Sequence, residues 1–165
     1  MKFKNALVII DIQTFFIGAF YRCQLDRLIK NISREINIAK RNKDVIIFVE
    51  YNPEHYGPTN ATLRQLVKNY PFSIFIEKEF RDGSSEIVDL INTDDRLKNV
   101  NKLKVCGVYI EQCVKATVNG LAEKNVKNQI DLLLYSSEFG NFKDSFSNGD
   151  INPSVNIIEK TLTPV

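Results

Sequence analysis

Short apolar runs recur along the chain, separated by longer stretches in which apolar residues return at helical spacing. ALVIID (6–11) and DVIIFVEY (44–51) are rich in β-branched residues and continuously apolar. That is the pattern of strands buried on both faces. FSIFIEK (72–78), KLKVCGV (102–108) and IDLLLYS (130–136) repeat the signal, and SVNIIEK (154–160) is a candidate sixth. Between the first two runs, Leu25, Leu28, Ile29, Ile32, Ile36 and Ala39 recur every three or four positions, opposite a charged face. A second helix follows the fourth run through Val114, Thr117, Val118 and Leu121, with Asn125 as a left-handed C-cap. Strand and helix in alternation predict parallel strands joined by right-handed crossovers, an α/β domain in three α/β/α layers. Two irregular stretches, 52–60 and the Gly/Asn/Ser-rich 137–153, fall beyond strand ends. Open α/β sheets place their ligands there.

Composition narrows the picture. A chain of 165 residues favours a single domain over 1–165 with a sizeable core. Its net charge of +2, from 22 basic and 20 acidic side chains, is nearly balanced. Without a basic block or aromatic-interleaved stripe, no nucleic-acid partner is expected. The opening MKFKNALVIID has an apolar run shorter than a signal-peptide core, and it ends in an acid at Asp11. No apolar stretch approaches a membrane span. Three cysteines with no CxxC pair argue against a disulfide framework and against a zinc site. Reduced thiols in a cytoplasmic protein are the expectation.

Three residues at three strand ends could meet at one rim of such a sheet. Asp11 ends the first run, Lys78 ends the third, and Cys113 opens the helix after the fourth. A thiol attacks as thiolate, and a helix N-terminus or a neighbouring cation lowers its pKa. Lys78 would supply the cation, and Asp11 could carry the proton between thiol and leaving group. On these terms Cys113 should react with iodoacetamide ahead of Cys23 and Cys106. Each residue also has a structural reading. An Asp after a strand is often a turn residue, a lone Lys a surface charge, and a Cys among apolar neighbours a packing residue. Cys106 in LKVCGV fits the packing reading, whereas Cys113 follows the polar Glu111 and Gln112.

Taken with their neighbours, these residues resemble the isochorismatase-like cysteine hydrolase superfamily, which includes the nicotinamidases. Its first motif matches DIQTFF (Asp11, Gln13, Phe16), its second IEKEF (Lys78), and its third CGVYIEQCVKAT (Cys113). The resemblance implies a doubly wound, Rossmann-like, mostly parallel sheet with Asp11, Lys78 and Cys113 as a catalytic triad. It also implies a cis peptide between Val108 and Tyr109, backbone N–H groups of Tyr109 and Cys113 as an oxyanion hole, and assembly as a homodimer or homotetramer. The family's metal motif after the second strand is altered in EYNPEH. Glu50 stands where the motif has Asp, Asn52 where it has its first histidine, and His55 is the one histidine in the chain. A two-histidine divalent site cannot be assembled from it, so neither metal nor other cofactor is expected. Ile110 and Gly120 also depart from the family's usual residues. Phe15, Phe16, Tyr51 and Tyr109 are candidates for an aromatic substrate pocket. The reading that results is a metal-independent amidohydrolase cleaving a C–N bond of a small carboxamide or ureido compound. A vinyl ether hydrolase and a catalytically silent binding module on the same fold remain as alternatives.

Overall fold

The computed structural model describes residues 2–18, 22–124, 128–136 and 150–161. Six strands form one sheet, β1 (Asn5–Ile10), β2 (Val45–Tyr51), β3 (Ser73–Lys78), β4 (Lys102–Gly107), β5 (Gln129–Ser136) and β6 (Val155–Thr161). Every pairing is parallel, in the order β3-β2-β1-β4-β5-β6. Around the sheet lie α1 (Thr14–Ile17), α2 (Arg22–Asn42), α3 (Pro53–Tyr56), α4 (Ala61–Val67), α5 (Ser84–Thr93) and α6 (Lys115–Glu123). The expected doubly wound α/β/α sheet is therefore present. Among the described residues, no helix is long and apolar enough to cross a membrane. The anticipated Asn125 cap, and the 137–149 part of the second irregular stretch, lie outside the described residues.

Alternation of side chains along each strand divides the core into two layers. Ala6, Val8 and Ile10 of β1 join Val45, Ile47 and Val49 of β2 against Ile87 and Ile91 of α5 and Val118 and Leu121 of α6. On the opposite face, Leu7, Ile9, Ile46 and Phe48 pack against Leu28, Ile32, Ile36 and Ala39 of α2 and Leu63 and Val67 of α4. The apolar stripe on α2 is the one its helical spacing predicts. Cys106 is fully buried in that second layer, as its packing reading requires.

The order of strands sets where a site can lie. β1 is central, with β2 and β3 on one side and β4, β5 and β6 on the other, so the winding reverses between β1 and β4. Crossover helices leave in opposite directions there and open a crevice beyond the carboxyl ends of the two strands. At that point Ile10 pairs with Gly107. A Cβ on Gly107 would lie 2.3 Å from the Ile10 carbonyl oxygen and 2.9 Å from its Cβ. Both obstacles belong to the central strand, which cannot give way. We expect Gly107→Ala to destabilise the protein by about 2 kcal/mol or more, the overpacking range. Urea unfolding checks this, and an unchanged midpoint would mean that β1 and β4 do not approach so closely.

Candidate active site

Asp11 follows β1 directly and holds a left-handed backbone, φ 56°, where non-glycine residues are uncommon. Its N–H donates to the Val49 carbonyl at 3.0 Å, so the turn is tied to β2. Lys78, the last residue of β3, sits two strands away, and its ammonium lies 5.2 Å from the centre of the intervening Tyr51 ring. It ends 2.9 Å from Asp11 Oδ2, with both side chains at most 1% exposed. Lys78 Nζ also donates to the Arg81 carbonyl at 3.0 Å. Lys78, the Cys113 thiol and the Tyr51 backbone all act on the carboxylate. None of them gives either Asp11 oxygen a well-aligned hydrogen bond. The contact is chiefly Coulombic, and it leaves buried lone pairs able to accept a proton.

Cys113 reaches the same place from β4. After Gly107 the chain reverses at Tyr109, which is left-handed at φ 53° and ψ 56°, and enters a π-helical turn over Ile110–Val114 that runs into α6. Single π turns of this kind recur at functional sites. No cis peptide occurs among the described residues, so the expected one between Val108 and Tyr109 is corrected. Tyr109 accomplishes the reversal through its own φ and ψ, with trans bonds on both sides.

The electrostatics also correct the sequence reading. The half-buried Cys113 thiol is raised to about 11, first by burial and then by the Asp11 charge, with Lys78 pulling the other way. The lowered pKa inferred from a helix start and a cation does not hold, because desolvation and the carboxylate together outweigh the ammonium. Asp11 is raised too, since burial costs its charged form more than Lys78 recovers. The resting arrangement is a protonated thiol beside an acceptor with a fixed cation. Transfer of the thiol proton to Asp11 conserves net charge and leaves the thiolate next to Lys78.

Aromatic rings roof this group. Phe16 and Tyr56 stack with centroids 4.9 Å apart, Tyr51 and Tyr56 at 5.1 Å, and the Tyr109 ring meets Phe16 edge-on at 5.8 Å. Phe16 lies against both Tyr51 and Tyr109, whereas Phe15 is 64% exposed and packs outside, on Tyr56 and Phe16. Tyr56 was not anticipated, although an aromatic within the irregular 52–60 stretch was its signal. Fully buried Gln13 holds the roof in register. Its amide accepts from the Tyr51 N–H at 2.6 Å and donates to the carbonyls of Gly57 at 2.6 Å and Tyr51 at 3.1 Å.

The altered EYNPEH stretch does not fit a divalent ion. Glu50 is buried and its carboxylate is already engaged, accepting from the Thr59 N–H at 2.6 Å and pairing with Arg64 at 3.2 Å. Asn52 takes a left-handed N-cap conformation for α3, and His55 is exposed with its ring edge-on to Tyr56. A carboxylate neutralised by arginine, an amide and one outward histidine are a poor donor set for zinc or manganese. Gly120, the other departure on α6, makes room for an acid from elsewhere. A Cβ there would collide with the Asp82 carboxylate and the Ser84 hydroxyl at the start of α5.

A family model described as an isochorismatase domain matches residues 5–131. Among solved structures, the chain is similar to the MAR1 ribonuclease of Caenorhabditis elegans, at 20% identity and a TM-score of 0.65 over 79% of this chain and 62% of that one. The nicotinamidase of Staphylococcus aureus matches at 23% identity and a TM-score of 0.59, over 79% of this chain and 80% of its own. The pyrazinamidase of Pyrococcus horikoshii, solved in complex with zinc, matches at 19% identity and a TM-score of 0.58 over 95% and 99% of the two chains. Likeness at these identities concerns the fold. No curated protein matches the chain in sequence.

Because Lys78 lowers the Cys113 pKa, its removal should raise it further. We expect Lys78→Met to slow alkylation of Cys113 at any fixed pH below its titration, about tenfold for each pH unit by which that titration moves up. In the unaltered protein near neutral pH, exposed Cys23 should be alkylated ahead of Cys113. Iodoacetamide labelling followed by peptide mass spectrometry reads both. Superimposable Cys113 profiles in the two proteins would mean that Lys78 does not act on the thiol.

Proposed function

The chain belongs to the isochorismatase-domain hydrolases, and on that premise we propose that it cleaves a C–N bond in a small amide or ureido compound through a thioester on Cys113. The observation that carries this reading is the buried Lys78–Asp11 pair with the Cys113 thiol against it, at the reversal point of the sheet. A thiol alone at that place would be ambiguous. One facing a proton acceptor and a cation has the parts that acyl transfer needs.

In this mechanism Asp11 takes the proton from Cys113 as sulfur attacks the substrate carbonyl carbon. The negative charge that develops on the carbonyl oxygen is held by the backbone N–H groups of Tyr109 and Cys113. The left-handed turn at Tyr109 and the helical turn that opens behind it support that assignment. As the tetrahedral intermediate collapses, Asp11 passes its proton to the departing nitrogen, and the C–N bond breaks to leave a thioester. Water then attacks the thioester carbonyl while Asp11 receives its proton. Collapse releases the carboxylic or carbamic acid, and the thiolate recovers a proton from Asp11. Lys78 keeps its charge throughout, so the ion-paired carboxylate and the transient thiolate are never two unbalanced anions in one crevice. The packed aromatic roof favours a flat or apolar substrate body.

The retained thiol disfavours the vinyl ether alternative, whose family members use the acid without a cysteine nucleophile. The buried ion pair disfavours a silent module, because binding alone gives no reason to keep two charges in the interior beside a thiol. Cys113→Ala should lower turnover of an amide substrate by more than about 10³-fold while the fold is kept, since a thioester needs the sulfur. Mass spectrometry of the protein mixed with an amide library should catch an acyl adduct on Cys113, and turnover by the alanine variant near the normal rate would overturn the assignment.

We also propose that the reaction needs no divalent ion, because Arg64 already satisfies Glu50 and no second imidazole exists. Exhaustive chelation should leave the rate unchanged. Loss of activity that zinc or manganese restores would refute this.

A further inference from the structure

Cys113 and Lys78 come from different elements, and something must fix the distance between them. The turn after β3 touches Lys78 twice. The Arg81 carbonyl accepts from its ammonium at 3.0 Å, and Gly83 packs against its stem so tightly that a Cβ there would lie 3.0 Å from Lys78 Cδ. The same glycine is anchored to α6, where its N–H donates to Thr117 Oγ1 at 3.0 Å. Thr117 lies four residues after Cys113, one helical turn along. Its side chain is fully buried, as is the glycine amide it satisfies.

We propose that Thr117 is a positioning residue for the Lys78 ammonium. It ties the Arg81–Gly83 turn, which grips Lys78, to the helix that carries Cys113. The inference rests on the reading of Asp11, Lys78 and Cys113 given above, and it adds a residue that touches none of the reacting atoms. Among the described residues, the other polar contacts between α6 and this stretch are made farther along α6, away from Cys113. Lys124 donates to Ser84 Oγ at 2.8 Å and stands 3.8 Å from Asp82, and all but Ser84 of that group is partly exposed. They hold the far end of the contact, so the hydroxyl of Thr117 is the buried link nearest the site.

An unpaired buried N–H is costly, so loss of the hydroxyl should let the turn shift until the Gly83 amide finds another partner. The Arg81 carbonyl moves with it, and Lys78 loses the anchor that aims its ammonium. The charged groups that act on the thiol are Asp11 and Lys78, so a displaced ammonium leaves the Asp11 charge less opposed. Thr117→Val keeps the branched shape and removes the hydroxyl that accepts from Gly83.

The test is the pH profile of Cys113 alkylation by iodoacetamide in the full chain, run on Thr117→Val, Thr117→Ser and Lys78→Met together. Thr117→Val should move the profile in the direction that Lys78→Met moves it, by at least about half a pH unit. Thr117→Ser, which keeps the hydroxyl, should overlay the unaltered protein. Should the valine variant not fold by circular dichroism, Thr117→Ala removes the acceptor without a branched replacement and takes its place. A shift with Lys78→Met and none with the valine or alanine variant would overturn the role of Thr117 and leave the triad standing. No shift with Lys78→Met would remove the triad reading and this inference with it. A serine variant displaced as far as valine would also overturn it, because the effect would then come from packing.

Discussion

The Lys78–Asp11 ion pair is the interaction on which the rest of this molecule turns. Each charge loses several kcal/mol of hydration on burial, and attraction offsets that loss only when the two are held close. At 2.9 Å, and nearly closed to solvent, the pair binds the end of β3 to the end of β1 across β2. Removal of one partner would strand the other, a change that typically costs about 3–5 kcal/mol. The surrounding structure is arranged to prevent this. The Arg81 carbonyl and the Tyr51 ring face the ammonium, and the Asp11 backbone is strained into a left-handed turn that β2 anchors.

A second consequence concerns the proton. A thiol at a helix start beside a lysine would be expected to ionise easily. In this crevice it does not, because dehydration and the Asp11 charge hold it near 11. Burial thus makes both the thiol and the carboxylate hold a proton more strongly than they would in water. A free thiolate in the resting protein would instead be exposed to oxidation.

The Glu50–Arg64 pair ties the end of β2 to α4. A carboxylate buried at the end of β2 needs a positive partner, whether metal or guanidinium, and Arg64 of α4 supplies it. The arginine in turn lies 4.5 Å from the centre of the Phe75 ring on the edge strand, so the loop, α4 and β3 are joined through one cation. With Gln13 pinning Tyr51 and Gly57, the 52–60 segment becomes a fixed wall lined by rings.

Much of this was present in the order of residues. Continuous apolar runs mark the central strands β1 and β2, which are buried on both faces, whereas the edge strands β3 and β6 expose polar positions such as Glu77 and Asn156. The long stripe on α2 could be read because it repeats over several turns. Helices α4 and α5, of seven and ten residues, lie outside that reading. Asp11, Lys78 and Cys113 could be named from motifs and strand ends, because those ends must converge in a parallel sheet. What the order of residues could not carry was the balance among them. Whether burial or a neighbouring cation governs a thiol depends on distances and on excluded water, which exist only once the chain has closed. The guanidinium paired with Glu50 and the link from Thr117 to Gly83 arise in the same way. Each depends on contacts between residues far apart in sequence, 34 positions in the last case, and such contacts leave no period or local pattern to read.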